Sequence, residues 1–333
     1  MNLRRKQTSI LLTISLAIIA TIGGVVAYRV FDAELEEATK SDYENHQKTF
    51  ASTSAKNIER YFYDIQKRME IIAQSPVVRD SQRSEACNQN LQNILEVNRK
   101  ELNNLGRINK NGVFECAVNR TIIGEPASKY GNYFETIAND PQHKPVMSPL
   151  IFPSGGATGV IAVHVPVYDS NGQFNGTIGG AVYFDELQNQ ILSGVQLSPN
   201  SIVALYDKNL DILSNPDPLL RGKNLLSEDV LSLYTPREKI KDFANKIKAP
   251  AEGTITYSFR DVKRQAVYKS VPVIGRHWTI LIAVPEDDIR ESVNRQSVRT
   301  MFAVTTAMLV LVITLLAYVF LRRKVSGAAD KKA

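Results

Sequence analysis

The sequence predicts an α+β chain: a long N-terminal helix, then two modules built on antiparallel sheets, with a membrane-spanning helix at each end. Three observations lead there. Two uncharged runs, Thr8–Tyr28 and Met301–Leu321, lie near the ends, each with cations on its outer flank. From Arg29 to Ser75 there is neither Gly nor Pro, and apolar residues recur at helical spacing. After that the period drops to two, in short runs separated by turn signals, and this pattern is written twice.

The ends come first. Each uncharged run is about long enough to cross a ~30 Å hydrocarbon layer at ~1.5 Å per residue. Arg4, Arg5 and Lys6 precede the first; Arg322, Arg323, Lys324, Lys331 and Lys332 follow the second, with Asp330 the one acid among them. The net charge of +6 is carried by these flanks, and the stretch between is near neutral. A nucleic-acid partner therefore loses its main support. The positive-inside rule places both termini in the cytoplasm. The expected order is a cytoplasmic tail at 1–7, a span at 8–28, an extracytoplasmic region at 29–299, a span at 301–321 and a cytoplasmic tail at 322–333. Val25 and Ala27 would suit a signal peptidase. The run is longer than a signal core and passes into a helix, so it is read as a retained anchor. With 44% hydrophobic and 22% charged residues, the remainder is a folded protein rather than a disordered one.

A helix is expected over 30–78. Ala51, Ala55, Ile58, Phe62, Ile65, Met69 and Ile72 alternate spacings of four and three, a heptad seam. Ile58–Ile72 is assigned to packing on the chain's own domain. The polar part before it, "DAELEEATKSDYENHQK", is expected in solvent, with a contact to a second copy nearer the membrane. Pro76 closes the helix. "SEACNQNLQNILEVNRK" is a shorter amphipathic helix. "LGRI" and "VFECAV" are strands around an Asn111-Gly112 turn. "YGNYFETIAND" is a short helix, and "PVMSPLIFP", "GVIAVHVPVYD" and "QFNGTIGGAVYF" complete a sheet of about five strands. Asp185 is expected to cap "DELQNQIL". Together, 79–195 form a first module. The second, 196–284, repeats the plan with "SIVALYD", "LDILS", "GTITYSF", "RQAVYKSVPV" and "HWTILIAVP". A stalk helix at 285–299 then leads into the second span.

Two cysteines, Cys87 and Cys116, both fall in the outside region. An oxidising compartment favours a disulfide between them, and two buried thiols are the alternative. No His stands near them, and His46, His143, His164 and His277 are scattered without metal spacing. No metal and no cofactor is expected.

This order resembles the double Cache family of bacterial sensors over roughly 30–299. The residues that carry the resemblance are "NKNGVFECAV", "YGNYFETI" beside the family's R-x-[WY]-[YF] segment, "VIAVHVPVYDSNGQFNGTIGGAVYFDEL" and the closing "GRHWTILIAVPEDDI". The resemblance implies two PAS-like sheet modules. The membrane-distal one binds a small molecule and the proximal one relays the result to the membrane. It also implies a bacterial inner membrane, with the main domain periplasmic. In the amino-acid-binding branch an Arg, an aromatic and an Asp hold the ligand. The matching positions here are Gly131, Tyr133 and Ala181, so a typical amino acid is not the expected ligand.

The candidate ligand-binding residues are Tyr130, Tyr133, His164, Tyr183 and Arg107. His164 interrupts the apolar "VIAVHVPV": it is either a donor to an anionic or polar ligand, with a pH-sensitive charge, or a hydrogen-bonded strand histidine. The tyrosines serve either the core or the ligand, and Arg107 either the site or the solvent. Trp278, the single tryptophan, is expected to plug the proximal core. "TPREKIKDFANKIKAP" is either a solvated amphipathic helix or one that touches anionic head groups.

No phosphate loop or nucleophile elbow is present, and no enzymatic activity is expected. The expected function is a membrane-anchored extracytoplasmic small-molecule sensor. It has no output domain of its own and signals through a separate partner, as a homodimer. Two alternatives are a receptor whose kinase, cyclase or chemotaxis output domain is missing, and a non-signalling envelope scaffold.

Overall fold

The computed structural model describes residues 2–80, 85–100, 102–151, 159–192 and 197–329; over most of the terminal helical stretches this covers the backbone alone. The chain divides into two units. The outer parts of the two long helices, up to Tyr43 and from Glu286 onward, form one, and Glu44–Pro285 forms the other.

Helix α1 runs Asn2–Gln74. It stops where Ser75, held extended by the following proline, leads into the short α2, Pro76–Arg79. Every seam residue from Ala51 to Ile72 is buried. The inward face reaches further back than the seam implies. Gln47, from the stretch expected in solvent, is fully buried, and its Nε2 donates to the carbonyls of Gln265 (2.9 Å) and Ile282 (3.0 Å).

In the second unit α3, Glu85–Val97, precedes five strands: β1 Leu102–Asn109, β2 Phe114–Ala117, β3 Val146–Met147, β4 Val160–Tyr168 and β5 Phe174–Tyr183. Helix α4, Tyr133–Asn139, lies between β2 and β3. The order is β2-β1-β5-β4-β3, every pair antiparallel. The strand expected at "PVMSPLIFP" shrinks to Val146–Met147, since its prolines lack the amide a ladder needs. Cys87 of α3 and Cys116 of β2 form a disulfide. Asp185 does not cap. Helix α5, Phe184–Leu187, starts two residues earlier than such a cap implies, with Tyr183 at the cap position.

The second sheet has six strands: β6 Ile202–Asp207, β7 Ile212–Ser214, β8 Tyr234–Thr235, β9 Glu252–Phe259, β10 Val262–Val273 and β11 Arg276–Pro285. Their order is β7-β6-β11-β10-β9-β8. Helix α6, Glu228–Leu231, and helix α7, Arg237–Ile247, lie between β7 and β9. Alternate residues serve different cores. Val267, Val271, Ile280 and Ile282 join the core that holds α1 and the first sheet. Ala266, Tyr268, Leu281 and Ala283 face the opposite way and join Ile240, Phe243 and Ile247 of α7. The apolar side of α7 is thus covered by this sheet, and only its lysine-bearing side is left outward. Trp278 belongs to the core shared with α1, not to the core under α7.

In the other unit α8, Glu286–Ala329, is paired with α1: Tyr43 and Ser292 are joined by a 2.9 Å hydroxyl contact, and Ser297 donates to Asp32. The polar half of α1 expected to stand free has a partner within its own chain. Among the described residues, no helix is long and apolar enough to cross a membrane. Most of the two predicted spans, 8–28 and 301–321, falls on residues whose side chains lie outside that description.

Candidate ligand-binding cavity

The first sheet has two unlike faces. Leu105, Val163, Val165, Ile178 and Val182 belong to the core with α1. The alternate residues on the same strands are Gly106 and Ile108 of β1, Ala162 and His164 of β4, and Gly179 and Ala181 of β5. These form the floor of a cavity of about 520 Å³. Small residues at the centre of a floor leave space that larger ones would fill, and this volume suits a small organic molecule. Phe114, Tyr130, Tyr133 and Phe134 supply aromatic walls, and Asn103, Asn104 and Asn119 supply polar edges.

His164 is nearly enclosed, with 6% of its surface exposed, and its Nδ1 has no hydrogen-bond partner. Burial drives its pKa down to about 4, so the ring is neutral at physiological pH. Tyr133 stacks on it with ring centres 5.0 Å apart and planes 21° from parallel. Two glycines make this arrangement possible. A Cβ on Gly179, opposite His164 in the ladder, would come within 2.6 Å of the imidazole Nδ1. Gly131 has φ +136°, and its Cβ would fall 2.6 Å from the Tyr133 hydroxyl. Gly131 therefore has a role of its own: a side chain there would expel Tyr133 from the cavity. Burial raises the Tyr133 pKa, opposed by nearby Arg276 and by a hydrogen bond with Ser148.

The sequence matches the family model described as the Cache domain over residues 31–293. The chain belongs to the Cache domain family. Solved structures similar to this Cache domain include the periplasmic sensory domain of the Campylobacter jejuni chemoreceptor Tlp1. That comparison has 16% identity and a TM-score of 0.56, covering 75% of this chain and 98% of that one. The ligand-binding domain of the Pseudomonas aeruginosa amino-acid chemoreceptor PctC, in complex with GABA, has 15% identity and a TM-score of 0.57, with 72% and 99% covered. An extracellular ligand-binding receptor from Desulfohalobium retbaense has 18% identity and a TM-score of 0.55, with 71% of this chain covered but only 40% of that one. These identities speak for the fold alone. No curated protein matches the chain by sequence.

Of the five predicted site residues, the Cache domain brings Tyr130, Tyr133 and His164 to the cavity and leaves two outside it. Tyr130 stands at the rim, 43% exposed, donating to Glu125 and edge-on to Phe114. Tyr183 is not a lining residue; its hydroxyl donates to Asn103 Oδ1 at 2.9 Å, so it orients an amide that is. Arg107 corrects both expectations held for it. It is fully buried, neither in the cavity nor in solvent. It pairs with Ile178 across the ladder, and cross-strand partners share a face, so it lies on the α1 side.

The Arg107 guanidinium donates to the carbonyls of Val78 (3.0 Å), Asn175 (2.7 Å), Thr177 (3.4 Å) and Ile108. Burial lowers its pKa to about 10. Replacing Arg107 by Met retains much of the volume but strands buried carbonyls at both ends of the network. The expected loss is about 3 kcal/mol in a denaturant titration.

His164 has a pKa of about 4 in the folded chain and an ordinary value of 6.5 when unfolded. Proton uptake by this ring thus favours the unfolded chain as pH falls from about 6.5 towards 4, and the full penalty is reached below that range. The chain should lose about 3 kcal/mol through this group by pH 4. Melts of the parent and of His164→Gln across this window should therefore converge as pH falls. Parallel curves would show that the ring is not buried neutral.

Proposed function

We propose that this Cache domain protein is a membrane-anchored extracytoplasmic sensor. A small molecule binds in the cavity of the distal module, 79–195. The proximal module, 196–284, relays the change to the stalk helices, 30–78 and 285–299. The spans at 8–28 and 301–321 hold both termini in the cytoplasm, and signalling passes to a separate partner from a homodimer. The observation that carries this reading is the cavity: a sheet face left open by glycine and alanine, walled by aromatics, with a buried histidine lacking a bond. The coupling rests on α1, whose buried seam serves both sheets in one continuous core. The structures of similar fold include sensory and ligand-binding domains of receptors, and the same role is proposed for this chain.

The test is a thermal-shift screen of the full chain against a library of small metabolites. A compound that binds only the folded state at a hundredfold excess over its Kd adds about 2.7 kcal/mol, several degrees for a chain of this size. Stabilisation confined to one chemical class, and lost in Gly179→Val, supports the cavity as the site. A stabilising compound that acts equally on Gly179→Val would move the site elsewhere.

A further inference from the structure

We propose that the cavity selects an uncharged, ring-bearing ligand rich in hydrogen-bond acceptors, such as a heterocycle with ring carbonyls, rather than a zwitterion or a carboxylate. The proposal rests on the reading of this cavity as the sensory site and names the chemistry the site accepts.

The lining carries no Asp, Glu, Lys or Arg among the described residues. An ion brought into such a site leaves water without meeting an opposite charge, which is strongly unfavourable. The walls are instead flat: Phe114, Phe134, Tyr130 and the stacked Tyr133–His164 pair present ring faces and edges. Such surfaces take a planar ring in offset or edge-on contact.

The polar edge has a definite sense. Each of the three lining carboxamides has its oxygen already engaged by a protein donor. Asn103 Oδ1 accepts from Tyr183 Oη at 2.9 Å. Asn104 Oδ1 accepts from the amides of Leu105 (2.9 Å) and Asn119 (3.3 Å). Asn119 Oδ1 accepts from the Thr121 amide (3.1 Å) and hydroxyl (2.8 Å). A backbone amide can only donate, so the last two side chains cannot be flipped. The NH2 groups are what remains to be used, and among the described residues none of the three has an acceptor. Three carboxamides with N–H groups to spare, lining the same cavity as the aromatic rings, match a ligand whose edge carries carbonyl oxygens or ring nitrogens.

The experiment compares three probe panels on the full chain by calorimetry and thermal shift. One is neutral ring carbonyls (uracil, 2-pyridone, nicotinamide), the second amino acids (serine, isoleucine, GABA), and the third simple carboxylates (acetate, benzoate). The proposal expects binding within the first panel only. It also expects Asn103→Asp, which replaces one lining donor by a charged acceptor, to weaken that binding at least tenfold. Binding by amino acids or carboxylates instead would overturn the ligand class while leaving the sensory cavity standing. Binding by neutral rings that ignored Asn103→Asp would overturn the donor-edge argument. If no panel binds, the ligand class falls, and the cavity reading is decided separately by the library screen with Gly179→Val. Asn103→Ser stands in should Asn103→Asp fail to fold.

Discussion

Replacing Trp278 by Ala should lower the stability of the full chain by about 4 kcal/mol and its melting temperature by on the order of 10 °C. The side chain is 2% exposed and is the largest fully enclosed one among the described residues. It stands on β11, edge-on to Phe62 of α1 with ring centres 5.1 Å apart, and 6.2 Å from Phe184, where the chain leaves the first sheet. Three elements distant in sequence thus meet on one indole. Truncation removes its transfer energy and leaves a void that α1, held along its whole seam by both sheets, cannot close. Trp278→Phe should lose less than half as much. Far-UV circular dichroism follows the melt without depending on the lost tryptophan. A loss under about 1 kcal/mol would mean that the indole does not join these elements as described.

The fold was largely legible because its periodicities are clean. The alternation of fours and threes from Ala51 to Ile72 predicted a buried seam, and every residue of it is buried. Gln47 was missed because its polarity argued for solvent, although it stands four residues before Ala51 on the seam's own face, and only the structure reveals the carbonyls of β10 and β11 that it serves. Tyr234–Thr235 was missed as a strand because two residues carry no period.

The site divides along the same line. His164 stood out as a polar residue in an apolar strand, and Tyr133 through the family's aromatic position; the cavity contains both. Arg107 misled because charge was weighed before parity. It alternates with Gly106 and Ile108, the residues that turn to the cavity, so it had to face the other way. The three asparagines were unreadable. An Asn in or beside a strand end signals a turn as often as a site, and only the hydrogen bonds to their oxygens distinguish the two.

Removing the disulfide, by Cys87→Ala with Cys116→Ala, should cost about 3.5 kcal/mol, the chain-entropy value for a closed loop of 29 residues. Both sulfurs are enclosed, and the bond ties α3 to β2. β2 is the place where such a tie matters most. It has four residues and sits at the sheet edge with β1 as its single strand neighbour. A further link to α3 is the bond from the Ala117 amide to Asn88 Oδ1, at 3.1 Å. The strand carries Phe114 into the cavity and leads directly to Val118 and Asn119 at its rim. Loosening it should therefore lower ligand affinity as well as stability, although neither cysteine lines the cavity. The parent melted with a thiol reductant should match the double variant, and the variant should ignore the reductant. A parent that keeps its affinity when reduced would show that Asn88 and the ladder hold β2 unaided, and that the disulfide protects the fold without shaping the site.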